Sequence, residues 1–95
     1  MQLLPATLTA VEAKATLRML TQALRAEAEG GVVIDAGGLK EFDSAALAVL
    51  LECQRQAQAW GRAFAVRQVP PKLAALAKLY GVDALLLAPP SAAAA

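Results

Sequence analysis

Histidine is absent from the 95 residues, and with it the commonest general base and the commonest metal ligand. The one cysteine, Cys53, excludes an internal disulfide, and without a histidine it lacks the partner that ordinarily activates a thiol. Aromatic residues make up only 4% of the chain and charged residues only 18%. Nine basic and eight acidic residues leave a net charge of +1. No basic stretch or stripe stands out, which gives nucleic-acid binding little support. No run of about eighteen apolar residues occurs, so no membrane-spanning helix is expected. The opening residues MQLLPATLTA carry no positive charge and no long apolar run, unlike a signal peptide. There is no Walker lysine motif and no GxGxxG, and Gly37-Gly38 alone does not make a phosphate loop. The carboxylates Asp35, Glu41, Asp43 and Asp83 are scattered at strand and loop ends. Asp35 and Asp43 are the pair placed to meet at one end of a sheet and hold a cation, but the inventory assigns no metal, no cofactor and no enzymatic activity. A cytoplasmic location in a reducing compartment is expected.

What is present is apolar residue in quantity, 58% of the chain and mostly Ala, Leu and Val. The length fits one domain, only marginally able to bury its own core. The low charge suits a subunit with part of its surface covered in a complex. Residues 3–8, interrupted by Pro5, read as a short edge strand. Thr9 and Glu12 form a capping box opening a helix to about Ala28. Its apolar stripe is Ala13, Leu17, Leu20, Leu24 and Ala28, and Gly30-Gly31 ends it. Val32 to Ala36 reads as a buried strand. After the Gly37-Gly38 loop a second helix runs from about Ser44 to Trp60, closed by Gly61. A strand at 63–69 ends at Pro70-Pro71, a helix at 72–80 points Leu73, Leu76 and Leu79 inward, and residues 82–87 form a last short strand or turn. Strand and helix alternate throughout, which argues an α/β layer fold with a largely parallel sheet.

The segment EFDSAALAVLL, residues 41–51, carries most of the functional information. Asp43 or Ser44 caps the second helix by accepting a backbone N–H, stabilising it by roughly 1 kcal/mol, and Asp43 suits the positive end of the helix dipole. Projected at about 100° per residue, Ala46, Val49, Leu50, Cys53, Ala57 and Trp60 form the core arc. Leu51 falls outside it, nearly in line with Ser44, Ala48 and Arg55. Such a smooth stripe beside a helix N-terminus suits docking by a partner. The alternative is that Leu51 covers a neighbouring loop.

The stretch from VVIDAGG through DSAAL to KLYGVDALL resembles a STAS domain, the fold of sulfate-transporter tails and anti-sigma-factor antagonists. The resemblance spans roughly residues 7–87, and it looks closest to the STAS subunit of Mla-type phospholipid ABC transporters. It implies a SpoIIAA-like fold over residues 1–88, with a central mixed sheet, helices packed on it, and a C-terminal tail at 89–95. STAS domains usually open with a strand ahead of the one at residues 3–8, so the first strand is expected to be missing, short, or supplied by a neighbouring chain. An exposed sheet edge would then favour a homodimer in isolation. The resemblance further implies a non-enzymatic role on an ATPase subunit (MlaF-like), through a surface containing Asp43, Ser44, Ala45, Ala48, Leu51 and Arg55, and contact with the membrane complex only through that partner. Anti-sigma antagonists read D-S-S-G-L and are phosphorylated on the second serine. That position is Ala45 here, which leaves Ser44 as the candidate phosphorylation residue and favours the transporter reading. An anti-sigma-factor antagonist binding a kinase-like anti-sigma factor is the runner-up. A small lipid or nucleotide carrier would need an internal cavity.

Overall fold

The computed structural model describes residues 2–26 and 30–86. Ala28 and the tail lie outside them. The chain enters through two very short strands, β1 (Gln2–Leu3) and β2 (Thr7–Leu8), and then forms α1 (Ala10–Ala26). Next come β3 (Val32–Asp35), β4 (Glu41–Phe42) and α2 (Ser44–Ala59). The chain continues with β5 (Phe64–Arg67), α3 (Pro71–Leu79) and α4 (Asp83–Leu86).

The single edge strand expected at residues 3–8 is divided. Gln2 and Leu3 pair in parallel with Ile34 and Asp35, whereas Thr7 and Leu8 pair in parallel with Glu41 and Phe42. Pro5, which has no N–H to give to a ladder, sits at the crossover between them. The backbone stays satisfied there, since the Leu4 N–H donates to the Asp35 carbonyl and the Ala6 carbonyl accepts from Lys40 and Glu41. The main sheet runs β1-β3-β5, and β2-β4 forms a second small ladder. All these pairings are parallel. Parallel pairing fits the strand–helix alternation, and the mixed pairing expected from the resemblance is not found among the described residues. β4 is an element missed in the sequence, because two residues carry no readable alternation.

The core forms between the sheet and the helices. β3 is buried as expected, with Val32 and Ile34 at 0% exposure. From α1 come Leu20 and Leu24, with Ala13 and Leu17 packed at the edge and Thr16 buried beside them. α2 contributes Ala46, Leu47, Val49, Leu50, Cys53 and Ala57. Trp60 is not part of that arc. It caps the C-terminus of α2, 36% exposed, with the Arg62 guanidinium 5.8 Å from its ring centre. In α3 the buried residues are Leu73 and Ala77, with Leu76 at the edge, whereas Leu79 is 79% exposed. Six residues past Leu73, it has rotated about 240° around the helix and points away from the core.

Residues 83–86 form a helix rather than the short strand or turn expected. Gly81 ends α3 with φ +72. The Val82 carbonyl then accepts the N–H groups of Leu85 and Leu86, Asp83 stands in the new first turn, and Leu86 packs into the core. The strand β5 stops at Gln68, a non-glycine residue at φ +53. No described helix is long and apolar enough to cross a membrane.

Candidate functional site

Parallel pairing of β2 with β4 sets residue 9 beside residue 43 and so brings the starts of α1 and α2 together. Asp43 occupies that junction. Its backbone is extended, and its Oδ1 accepts the Ala45 N–H at 2.8 Å. Its Oδ2 accepts the Ala10 N–H at 3.4 Å. One carboxylate thus serves two helix N-termini, where unpaired N–H groups and the dipoles favour negative charge. Asp43 is the cap of α2, and Ser44 is the first helical residue, exposed to solvent. α1 also carries the expected box. The Thr9 N–H and hydroxyl both donate to Glu12 Oε1, at 2.9 and 2.7 Å. Those two bonds, the hydroxyl's first, hold the Glu12 carboxyl below its ordinary range.

From this capped end, α2 presents Ser44, Leu47, Ala48 and Leu51 to an open groove whose far wall is Tyr80 and Val82, at the junction of α3 and α4. The groove holds about 270 Å³ and is lined mostly by apolar surface. Ser44, Ala48 and Leu51 therefore stand together where the helical projection put them. Leu51 is half-buried against the core and also lines the groove. Ala45 donates its N–H to Asp43 and does not line the groove. Arg55 lies one turn beyond Leu51 and is bound by Glu52, which lowers the Glu52 carboxyl and raises the Arg55 guanidinium in pKa. Arg55 does not line the groove.

Three groove residues were missed in the sequence. Leu47 projects next to Leu51, so the helical wheel could have found it. Tyr80 and Val82 come from the LYGV turn, and nothing local says that the turn folds back against α2. The exposed Tyr80 (58%) stands on an α3–α4 unit that also exposes Leu79 and Leu85.

The carboxylate pair considered for a cation is occupied with local backbone. Asp35 Oδ1 accepts the Gly37 N–H at 2.7 Å, and both Asp43 oxygens face helix N-termini. Among the described residues no group of three or more acidic, cysteine or histidine side chains is placed to hold a metal ion. Cys53 is fully buried, and burial, followed by the charge of Glu52, pushes its thiol up to about 11. That keeps it a protonated core residue, far from a reactive thiolate.

A comparison with curated proteins returned no match. A family model described as "Mlab, STAS domain" matches residues 7–88, a span that covers every element described above except β1. The chain belongs to the STAS domain family, of the MlaB type.

Proposed function

We propose that the chain is a non-enzymatic STAS subunit that docks on the ATPase subunit of an Mla-type phospholipid-trafficking ABC transporter and stabilises or regulates it. It would then work in the cytoplasm, at the inner membrane only through its partner, in maintaining outer-membrane lipid asymmetry. The observation that carries this reading is the groove formed by Ser44, Leu47, Ala48 and Leu51 against Tyr80 and Val82. Small residues at 44 and 48 let a partner's backbone approach, while Leu51 and Tyr80 supply apolar area and the Glu52–Arg55 pair a polar edge. Asp43 and Ala45 act beneath this surface by fixing the start of α2.

The test is binding to the purified ATPase subunit, read beside unfolding of the same variants. Ala48→Arg fills the groove from an exposed position and should abolish binding with the fold intact. Tyr80→Ala should weaken binding at least about tenfold, or 1.4 kcal/mol. Leu51→Ala removes a half-buried side chain, so folding and binding should each lose roughly 1 kcal/mol. Unchanged affinity in Ala48→Arg and Tyr80→Ala would end the proposal. Ser44 is exposed at the first turn of α2, where a phosphate is electrostatically favoured. That favours a second reading, an anti-sigma-factor antagonist, which requires a kinase-like partner whose binding is abolished by a Ser44 phosphate.

A further inference from the structure

The flank of α2 opposite the apolar groove packs against α1, and the seam between the two helices is cationic. At about 100° per residue, Lys14, Arg18 and Arg25 fall within an arc of about 40° on α1. They are a third of the chain's nine cations, and all three are exposed. With Leu17, Thr21 and Gln56 they line a concavity of about 410 Å³. Gln56 Nε2 donates to Thr21 Oγ1 at 3.1 Å across its floor. Arg25 is shared with an adjoining concavity where Arg62, held on the Leu24 and Gly30 carbonyls, lies over Trp60. Glu52, the one acid of α2, is paired with Arg55, which with help from the Gln56 side chain holds its carboxyl below the ordinary range. No described acid pairs with Lys14, Arg18 or Arg25, and the glutamates that follow α1, Glu27 and Glu29, lie outside the described residues.

We propose that this α1–α2 seam binds an acidic, extended polypeptide segment of a protein partner, separately from the apolar groove. The register supports a strand of carboxylates. Lys14 and Arg18 are about 6 Å apart along the helix axis at ~1.5 Å per residue, and alternate residues of an extended chain are about 6.7 Å apart on one face. Lys14 to Arg25 spans about 16 Å on the same rise, the length of about five extended residues. The concavity favours a polypeptide over a bilayer, because a flat anionic surface meets only the crests of the two helices and leaves the Thr21–Gln56 floor unfilled.

A fluorescent hexaglutamate peptide tests this by anisotropy with the whole chain, at low salt and at about 0.15 M. The peptide should bind at low salt and weaken as salt rises. Lys14→Glu/Arg18→Glu should lose roughly tenfold or more, and Lys14→Gln/Arg18→Gln a smaller part. Lys72→Glu/Lys78→Glu, which makes the same net charge change on α3, should stay within about twofold, and so should Ala48→Arg in the apolar groove. No binding at low salt, or equal loss from the α1 and α3 reversals, overturns the proposal. So does sedimentation with phosphatidylglycerol vesicles that depends on Lys14 and Arg18 without peptide binding, which assigns the seam to a membrane.

Discussion

Replacing Asp43 with alanine separates the two residues that the sequence offered as caps of α2. Its Oδ1 accepts the Ala45 N–H at 2.8 Å, a full-strength bond, and its Oδ2 accepts the Ala10 N–H at 3.4 Å, a weak one. Loss of a side-chain cap costs about 0.5–2 kcal/mol. Loss of a negative charge facing helix N-termini adds about 0.3–1 kcal/mol where it is partly exposed. Asp43→Ala should therefore lower stability by about 0.8–3 kcal/mol. In a domain of this size each kcal/mol corresponds to about 4–8 °C in Tm, so thermal unfolding resolves the change easily. Ser44→Ala should stay within about 0.5 kcal/mol, because Ser44 is exposed in the first helical turn and its side chain makes no described bond. Asp43→Asn keeps the acceptor without the charge and should fall between. Urea unfolding of the three variants at pH 7 gives the order directly. If Ser44→Ala loses more than Asp43→Ala, the junction described here is wrong, and with it the account of how α1 and α2 are set beside each other.

The remaining predictions concern strain, the buried thiol and the second capping site. Gln68→Gly should stabilise the chain by about 0.5–1 kcal/mol, since the left-handed conformation at φ +53 costs a non-glycine residue about 1–2 kcal/mol, partly offset by glycine's greater freedom when unfolded; denaturant midpoints of the pair would show it, and a destabilised glycine variant would contradict it. Cys53 binds its proton more tightly folded than unfolded, so its contribution is intact below about pH 9 and is lost as pH rises towards 11, up to about 2–3 kcal/mol at 1.36 kcal/mol per pKa unit. The decline over that window should be shallower in Cys53→Ala, and parallel curves would refute it. Glu12 is held below its ordinary range, so its stabilisation is present above about pH 4.5 and is lost on acidification; Glu12→Gln, compared with the parent by acid unfolding, should flatten that response.

Legibility in the sequence followed the length of each signal. α1 and α2 run to 17 and 16 residues, enough turns for apolar spacing to fix which face is buried, and Leu20, Leu24, Leu50 and Cys53 lie where that spacing puts them. The capping box at Thr9 and Glu12 and the proline at the start of α3 are local chemistry and needed no tertiary information. The two-residue strands β1, β2 and β4 could not be resolved this way. Their division around Pro5 is decided by which neighbour each half meets, a fact carried by residues about 30 positions away. α4 was misread because Val82 to Leu86 is only five residues, apolar except for Asp83 and with the small Ala84 at its centre, too short for strand and helix periodicity to be told apart.

The same distinction explains why only half of the groove was legible. Ser44, Ala48 and Leu51 belong to one helix, and a helix transmits its periodicity from core face to solvent face: once Leu50 and Cys53 are inside, Leu51 and Ala48 are necessarily turned toward a flank. Tyr80 and Val82 depend instead on the left-handed turn at Gly81, which folds the α3–α4 junction back against α2. The cationic seam was missed for a related reason. Lys14, Arg18 and Arg25 are too widely spaced to look like a basic run, and only winding them onto α1, with α2 packed alongside, gathers them into one concavity. α2 is thereby bounded by an apolar groove on one flank and a cationic seam on the other, with the Glu52–Arg55 pair on the helix that separates them. The groove takes four of its lining residues from α2, whereas the seam is built on α1 with Gln56 as its one α2 residue. A partner gripping both flanks would therefore read how α1 and α2 are set beside each other, and the Asp43 junction that joins their N-termini would set the register of both contacts at once.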